Sequence, residues 1–231
     1  DWDRPSGPPR GTVLYFHGGG YVGTSPSMYA VFATRLANAT HCEVFVADYR
    51  LAPEFPFPAG LTDAIAVLNG AIRDGHAPSR LFVAGDSGGG GLASALMCAT
   101  EMQELEPVAG LLLVVPEVDL RLDKPSMRAN ASTDILPWNV PTTSYLQGTD
   151  PGEGCVSAIN QSVGHWPPTI VLYGEDEMFR DAIRLLVDRL RSAGVPTTAV
   201  EATAMFHVYP IVMPWHPAAR GSFPRGWTQA V

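Results

Sequence analysis

The sequence predicts an α/β fold, with a mainly parallel sheet covered by helices on both faces. Three observations carry that expectation. Short apolar runs alternate with longer segments of helical spacing along most of the chain. The runs read as strands buried on both sides. Glycine-rich turns stand at the carboxyl ends of two of the runs.

Val13-Leu14-Tyr15-Phe16 is an apolar run that ends in His17 and three glycines. A helix is expected after Ser25-Pro26, with proline in its first turn, running to about Ala39. Cys42 to Ala47 reads as the next strand. Leu61, Ile65, Leu68 and Ile72 give helical spacing to the segment from Leu61 to Arg73. Leu81-Phe82-Val83-Ala84 is a short buried strand, and a helix from Gly89 to Glu104 lies behind it. Leu111 to Val115 and Thr169 to Tyr173 are strands. Arg180 to Ala193 is a helix closed by Gly194, and Thr197 to Glu201 is the last strand. Residues 116–166, rich in Pro, Asn, Ser and Thr, read as a long irregular insertion in one domain spanning 1–231. Neither an internal repeat nor a linker interrupts the chain. Pro214, Pro217, Gly221, Pro224 and Gly226 break up any final helix.

Composition narrows the function. The 231 residues suit one domain with a substantial core, and 15 basic against 23 acidic residues give a net charge of −8. That balance disfavours nucleic acid and anionic membrane as partners. Cys42, Cys98 and Cys155 are an odd, scattered set, which argues against a disulfide framework, and no C-x-x-C suggests zinc. No apolar run reaches the length of a membrane span. A cytoplasmic location is expected. The three N-x-S/T sequons, at Asn38, Asn130 and Asn160, read as chance.

The chemistry is written in Gly85-Asp86-Ser87-Gly88-Gly89, a G-x-S-x-G between a strand and a helix. A sharp turn there pushes Ser87 out of the sheet, and only small neighbours fit so tight a turn. A serine hydroxyl needs a base, a carboxylate to orient the base, and donors for the oxyanion. His207, after the last strand, is the candidate base. Glu175-Asp176-Glu177 follows the preceding strand, and three carboxylates in a row cannot all face the histidine. Counting back from Arg180-Asp181 favours Glu177 as the acid, with Asp176 as the alternative. Backbone N–H groups of Gly19, Gly20 and Gly88 are the candidate oxyanion donors. A competing pattern, Gly18-x-Gly20-x-x-Gly23 with Asp48 after the next strand, has the outline of a dinucleotide site. It leaves Ser87, the acid cluster and His207 unexplained. Pro26 also places the helix start beyond Gly23.

Taken together, His17-Gly18-Gly19-Gly20-Tyr21, Asp48-Tyr49-Arg50-Leu51-Ala52-Pro53-Glu54, Phe57-Pro58-Ala59, Gly85 to Gly89, Glu175 to Asp181 and Phe206-His207-Val208 resemble the bacterial hormone-sensitive-lipase-like family of α/β-hydrolases. The resemblance spans about Thr12 to Val208. It implies a serine carboxylesterase acting on short- or medium-chain acyl esters without metal or cofactor, with a small-molecule ester as its partner. It makes Ser87 the nucleophile, His207 the base, and Gly19, Gly20 and Gly88 the oxyanion donors. The Tyr49 to Glu54 motif and Asp86 are then scaffold. Amidase, deacetylase or lactonase activity would use the same machinery, and a non-catalytic small-molecule-binding homologue is the rival of another class. Three departures stand out: Gly88 where alanine is usual, Glu177 where aspartate is usual, and sixteen residues before His17 where the family carries a helical cap and two further strands. With those strands apparently absent, Cys42 to Ala47 is expected to be a sheet edge, covered by a second copy of the chain or by more of this chain.

Overall fold

The computed structural model describes residues 8–102, 107–137, 140 and 142–222. Six parallel strands form one sheet: β1 (Thr12–Phe16), β2 (Glu43–Ala47), β3 (Leu81–Asp86), β4 (Gly110–Val114), β5 (Thr169–Gly174) and β6 (Thr197–Ala202), in the order β2-β1-β3-β4-β5-β6. Register is continuous across the centre, with Phe16 beside Gly85 and Gly85 beside Leu113. The carboxyl ends of β1, β3 and β4 therefore lie side by side. β1, β3, β4 and β5 are buried along their whole length. That fits unbroken apolar runs rather than alternation.

Helices fill the crossovers: α1 (Ala30–Thr40), α2 (Ala59–Arg73), α3 (Ser87–Met102) and α6 (Arg180–Ser192). The helix expected from Pro26 opens as a 3-10 turn over Pro26–Tyr29 before α1 begins. α6 shows how sequence fixes packing. Ile183, Leu186, Val187 and Leu190 recur at helical spacing and are buried against β5 and β6. Asp181 lies in its first turn and Arg189 and Arg191 in its last, which suits the helix dipole. On β1, Tyr15 meets Phe32 of α1 at 5.3 Å between ring centroids, while the next residue, Phe16, meets Tyr49 at 6.3 Å.

Residues 116–166 carry short α4 (Ser126–Ala129) and α5 (Thr143–Leu146) and two 3-10 turns. The tail folds into two short helices, α7 (Tyr209–Val212) and α8 (Pro217–Ser222). Pro224 and Gly226, and Glu104 at the expected end of α3, lie outside the described residues. β2 is an edge, as expected, and leaves Phe45 51% exposed. All three cysteines are free thiols, but Cys98 and Cys155, distant in sequence, lie close enough that the Cys155 thiol pushes that of Cys98 up. Among the described residues no helix is long and apolar enough to cross a membrane.

Candidate active site

The turn from β3 into α3 places Ser87 with φ +51°, a left-handed backbone rare for a residue with a side chain. The turn holds because its neighbours have no Cβ. A Cβ on Gly85 would lie 2.4 Å from the Gly89 carbonyl oxygen, and one on Gly89 would lie 2.1 Å from that of Phe16. The same pressure continues into α3, where a Cβ on Gly91 would lie 2.1 Å from the Tyr21 hydroxyl. Four consecutive glycines weaken a helix start by about 1 kcal/mol each relative to alanine. Here they let the helix end sit directly on the strand ends.

The glycine loop after β1 leans on the elbow. Asp86 is buried and accepts hydrogen bonds from the Tyr15 hydroxyl (2.8 Å), the Tyr29 hydroxyl (2.9 Å) and the Gly18 N–H (2.9 Å). Burial pushes its carboxyl up to about 6, although these donors pull the other way. It is thus a fully bonded anchor for the loop. Gly19 and Gly20 take φ +115° and +60°. Among the described residues their N–H groups, and that of Gly88 in the first turn of α3, have no hydrogen-bond partner. The loop does not form a dinucleotide cradle. Gly18, Gly20 and Gly23 precede α1 by a separate 3-10 turn, and Gly18 is packed on Asp86.

His207 comes from the loop after β6 and is 2% exposed. Its Nε2 lies 2.8 Å from Ser87 Oγ, and its Nδ1 lies 3.2 Å from Glu177 Oε2. These partners assign the proton to Nδ1 and leave Nε2 free to accept one. Burial lowers the His207 pKa to about 3, so the ring is neutral at neutral pH. Burial also pushes the Glu177 carboxyl well up, and the nearby Asp134 charge adds to this. The three acidic neighbours separate cleanly. Glu177 is fully buried against His207. Glu175 and Asp176 are half-buried, and Glu175 instead accepts the Ala204 N–H at 3.3 Å.

A model of the alpha/beta hydrolase fold family matches residues 13–211. An acetyl-hydrolase of Streptomyces hygroscopicus is 32% identical over 224 residues, covering 95% of this chain and 75% of the relative. A carboxylesterase of Mycobacterium tuberculosis is 30% identical over 226 residues, covering 93% and 71%. Among solved structures, a hormone-sensitive lipase from a metagenome library superposes with a TM-score of 0.91 at 32% identity, covering 97% of this chain and 79% of that one. An esterase of the bacterial hormone-sensitive lipase family gives 0.90 at 32% identity, covering 95% and 75%. The chain belongs to the hormone-sensitive-lipase-like α/β-hydrolases.

In this α/β-hydrolase the Asp48 to Glu54 motif braces the glycine loop. The Tyr49 hydroxyl donates to the His17 carbonyl at 2.6 Å, and its ring stacks on His17 at 4.6 Å. The Ala52 N–H donates to the Tyr21 carbonyl, and Arg50 makes a two-pronged pair with Asp63. Gly88 is tightly placed: a Cβ there would lie 3.0 Å from Tyr21 N and 3.2 Å from Gly20 N. Sequence reasoning missed Asn130 and Asp134. Asp134 accepts the His207 N–H at 2.9 Å and the Met178 N–H at 2.6 Å, tying the histidine loop to the acid loop. Asn130 donates to the Glu177 carbonyl at 2.8 Å, and at 8% exposure it is closed to glycosylation. Beside Ser87 and His207 opens a cavity of about 360 Å³, with Ile135, Leu136, Val140, Phe179 and Val208 as apolar lining. Among the described residues no group of three or more His, Cys, Asp and Glu is arranged to hold a metal ion.

Proposed function

We propose that this α/β-hydrolase is a serine carboxylesterase that cleaves short- to medium-chain acyl esters through an acyl-enzyme. One observation carries the reading: the unbroken line from Ser87 Oγ through the His207 ring to Glu177, beside N–H groups with no other partner. Neutral His207 takes the Ser87 proton as the oxygen attacks the ester carbonyl. The Gly19, Gly20 and Gly88 N–H groups stabilise the tetrahedral oxyanion, each worth about 3 kcal/mol of barrier. The imidazolium that forms favours the ionised form of Glu177 against the burial that pushes its carboxyl up, is held by it, and then protonates the leaving alcohol. Water, activated by the same ring, releases the acid. The naming of the bacterial relatives as acetyl-hydrolase, esterase and carboxylesterase supports the substrate class. The cavity size supports a small acyl group.

Ser87→Ala should abolish hydrolysis of p-nitrophenyl butanoate while leaving the fold intact by circular dichroism; unchanged turnover overturns the reading. The acid is tested by comparing Glu177→Gln with Asp176→Asn. Loss confined to the second would move the role to Asp176.

A further inference from the structure

We propose that Glu117 is a specificity-determining residue that receives a hydroxyl group carried by the ester substrate. The proposal rests on the esterase reading and deepens it. Glu117 lies just beyond β4 and lines the same cavity as Ser87 and His207. Its N–H donates to the carbonyl of Ser87 itself at 2.9 Å, and its carbonyl lies 3.5 Å from the Tyr21 hydroxyl, next to the oxyanion loop. The backbone is thus fixed between the nucleophile and the glycine loop. The side chain is another matter. It is 1% exposed, and neither carboxyl oxygen has a hydrogen-bond partner among the described residues. No other carboxyl group among them has both oxygens buried and unpartnered.

Buried polar groups are almost always partnered, so an exception calls for a cause. The protein wall around Glu117 offers no such partner; both oxygens are closed off from solvent, and a substrate hydroxyl meets them when the side chain turns into the cavity that Glu117 lines. Burial pushes the carboxyl up to about 8, so at neutral pH it is the neutral acid, with one donor and one acceptor. The complement of such a group is a hydroxyl, which both donates and accepts. A plain alkyl chain leaves both functions unmet. An ammonium group would require the acid first to lose its proton. The apolar residues across the cavity then contact the rest of a short chain. A site built to hydrogen-bond a hydroxyl discriminates against the isostere that lacks it, because the buried group is left unpaired.

The test compares kcat/KM within two isosteric pairs. p-Nitrophenyl 3-hydroxybutanoate against 3-methylbutanoate places the hydroxyl on the acyl side. 2-Hydroxyethyl butanoate against propyl butanoate places it on the alcohol side. The wild-type chain should prefer the hydroxylated ester in one pair by about tenfold or more. Glu117→Leu and Glu117→Met should bring that ratio to about one or below, whatever their overall activity, and Glu117→Gln, which still donates and accepts, should keep part of it. Turnover without preference in either pair overturns the proposal alone, as does an unchanged ratio in a folded Glu117→Leu or Glu117→Met. No turnover of any of the four esters overturns the esterase reading with it. The wild-type ratios decide even where a variant fails to fold.

Discussion

Replacing Glu117 by glutamine should make the protein more stable at alkaline pH, and the size of the effect comes from burial. The carboxyl titrates at about 8 in the folded chain, against 4.5 for the unperturbed group. A folded-state value raised in this way gives stability that is fully present below the unfolded value and lost as pH rises through the folded one. Each pH unit between the two is worth about 1.4 kcal/mol, so the ceiling is ~5 kcal/mol, comparable with the whole stability of a marginal domain. Glutamine fills the same space and does not titrate. Other buried acids, such as Asp86, are common to both proteins and cancel in the difference. Urea unfolding followed by tryptophan fluorescence, from about pH 5 to about pH 9, reads the gap between wild type and Glu117→Gln. The gap should widen in favour of the variant as pH rises, with most of the change between about pH 5 and 8. A gap that stays constant across that range would mean that the carboxyl is solvated or partnered, and the burial argument would fall.

Other consequences are sharper in the site itself. Asp134→Ala removes the acceptor that joins the His207 and Met178 N–H groups. It should lower kcat about 10- to 100-fold, the size of losing 1–3 kcal/mol of positioning, with a smaller change in KM. Steady-state kinetics on a short-chain ester will show whether the split goes that way. Gly89→Ala drives a Cβ into the Phe16 and His17 carbonyls. A loss of about 3 kcal/mol or more in thermal or urea stability is expected, since backbone on both sides cannot yield cheaply. Gly70→Ala in α2, where a Cβ meets nothing within 4 Å, is the control and should be neutral or stabilising.

Much of the fold is legible in the sequence because the signals are local. An apolar run followed by glycines marks β1 and its loop, and the spacing of Ile183, Leu186, Val187 and Leu190 marks α6. The elbow is legible for the same reason, since its small residues are neighbours in sequence. The acid is a harder case. Glu175, Asp176 and Glu177 share one turn, and only the path of the loop decides which is turned inward. Asn130 and Asp134 are not legible at all. Their work is done by side chains reaching backbone groups 44 to 73 residues away, and nothing periodic marks residues 116–166. Glu117 is similar. Nothing local marks a glutamate after a proline at a strand end as buried; the fold brings it against the Ser87 backbone and the cavity. The meeting of Cys98 with Cys155 is a third instance of contacts that chain distance hides.

Whether Ser87 is the nucleophile activated by His207 is read most directly by labelling with a serine-reactive phosphonate. Peptide mass spectrometry locates the adduct, and ester turnover is followed in the same samples. One adduct is expected, on the peptide carrying Ser87, forming in step with loss of activity and absent from Ser87→Ala. Full activity with Ser87 unlabelled, or labelling that settles on another residue as activity falls, would rule that role out.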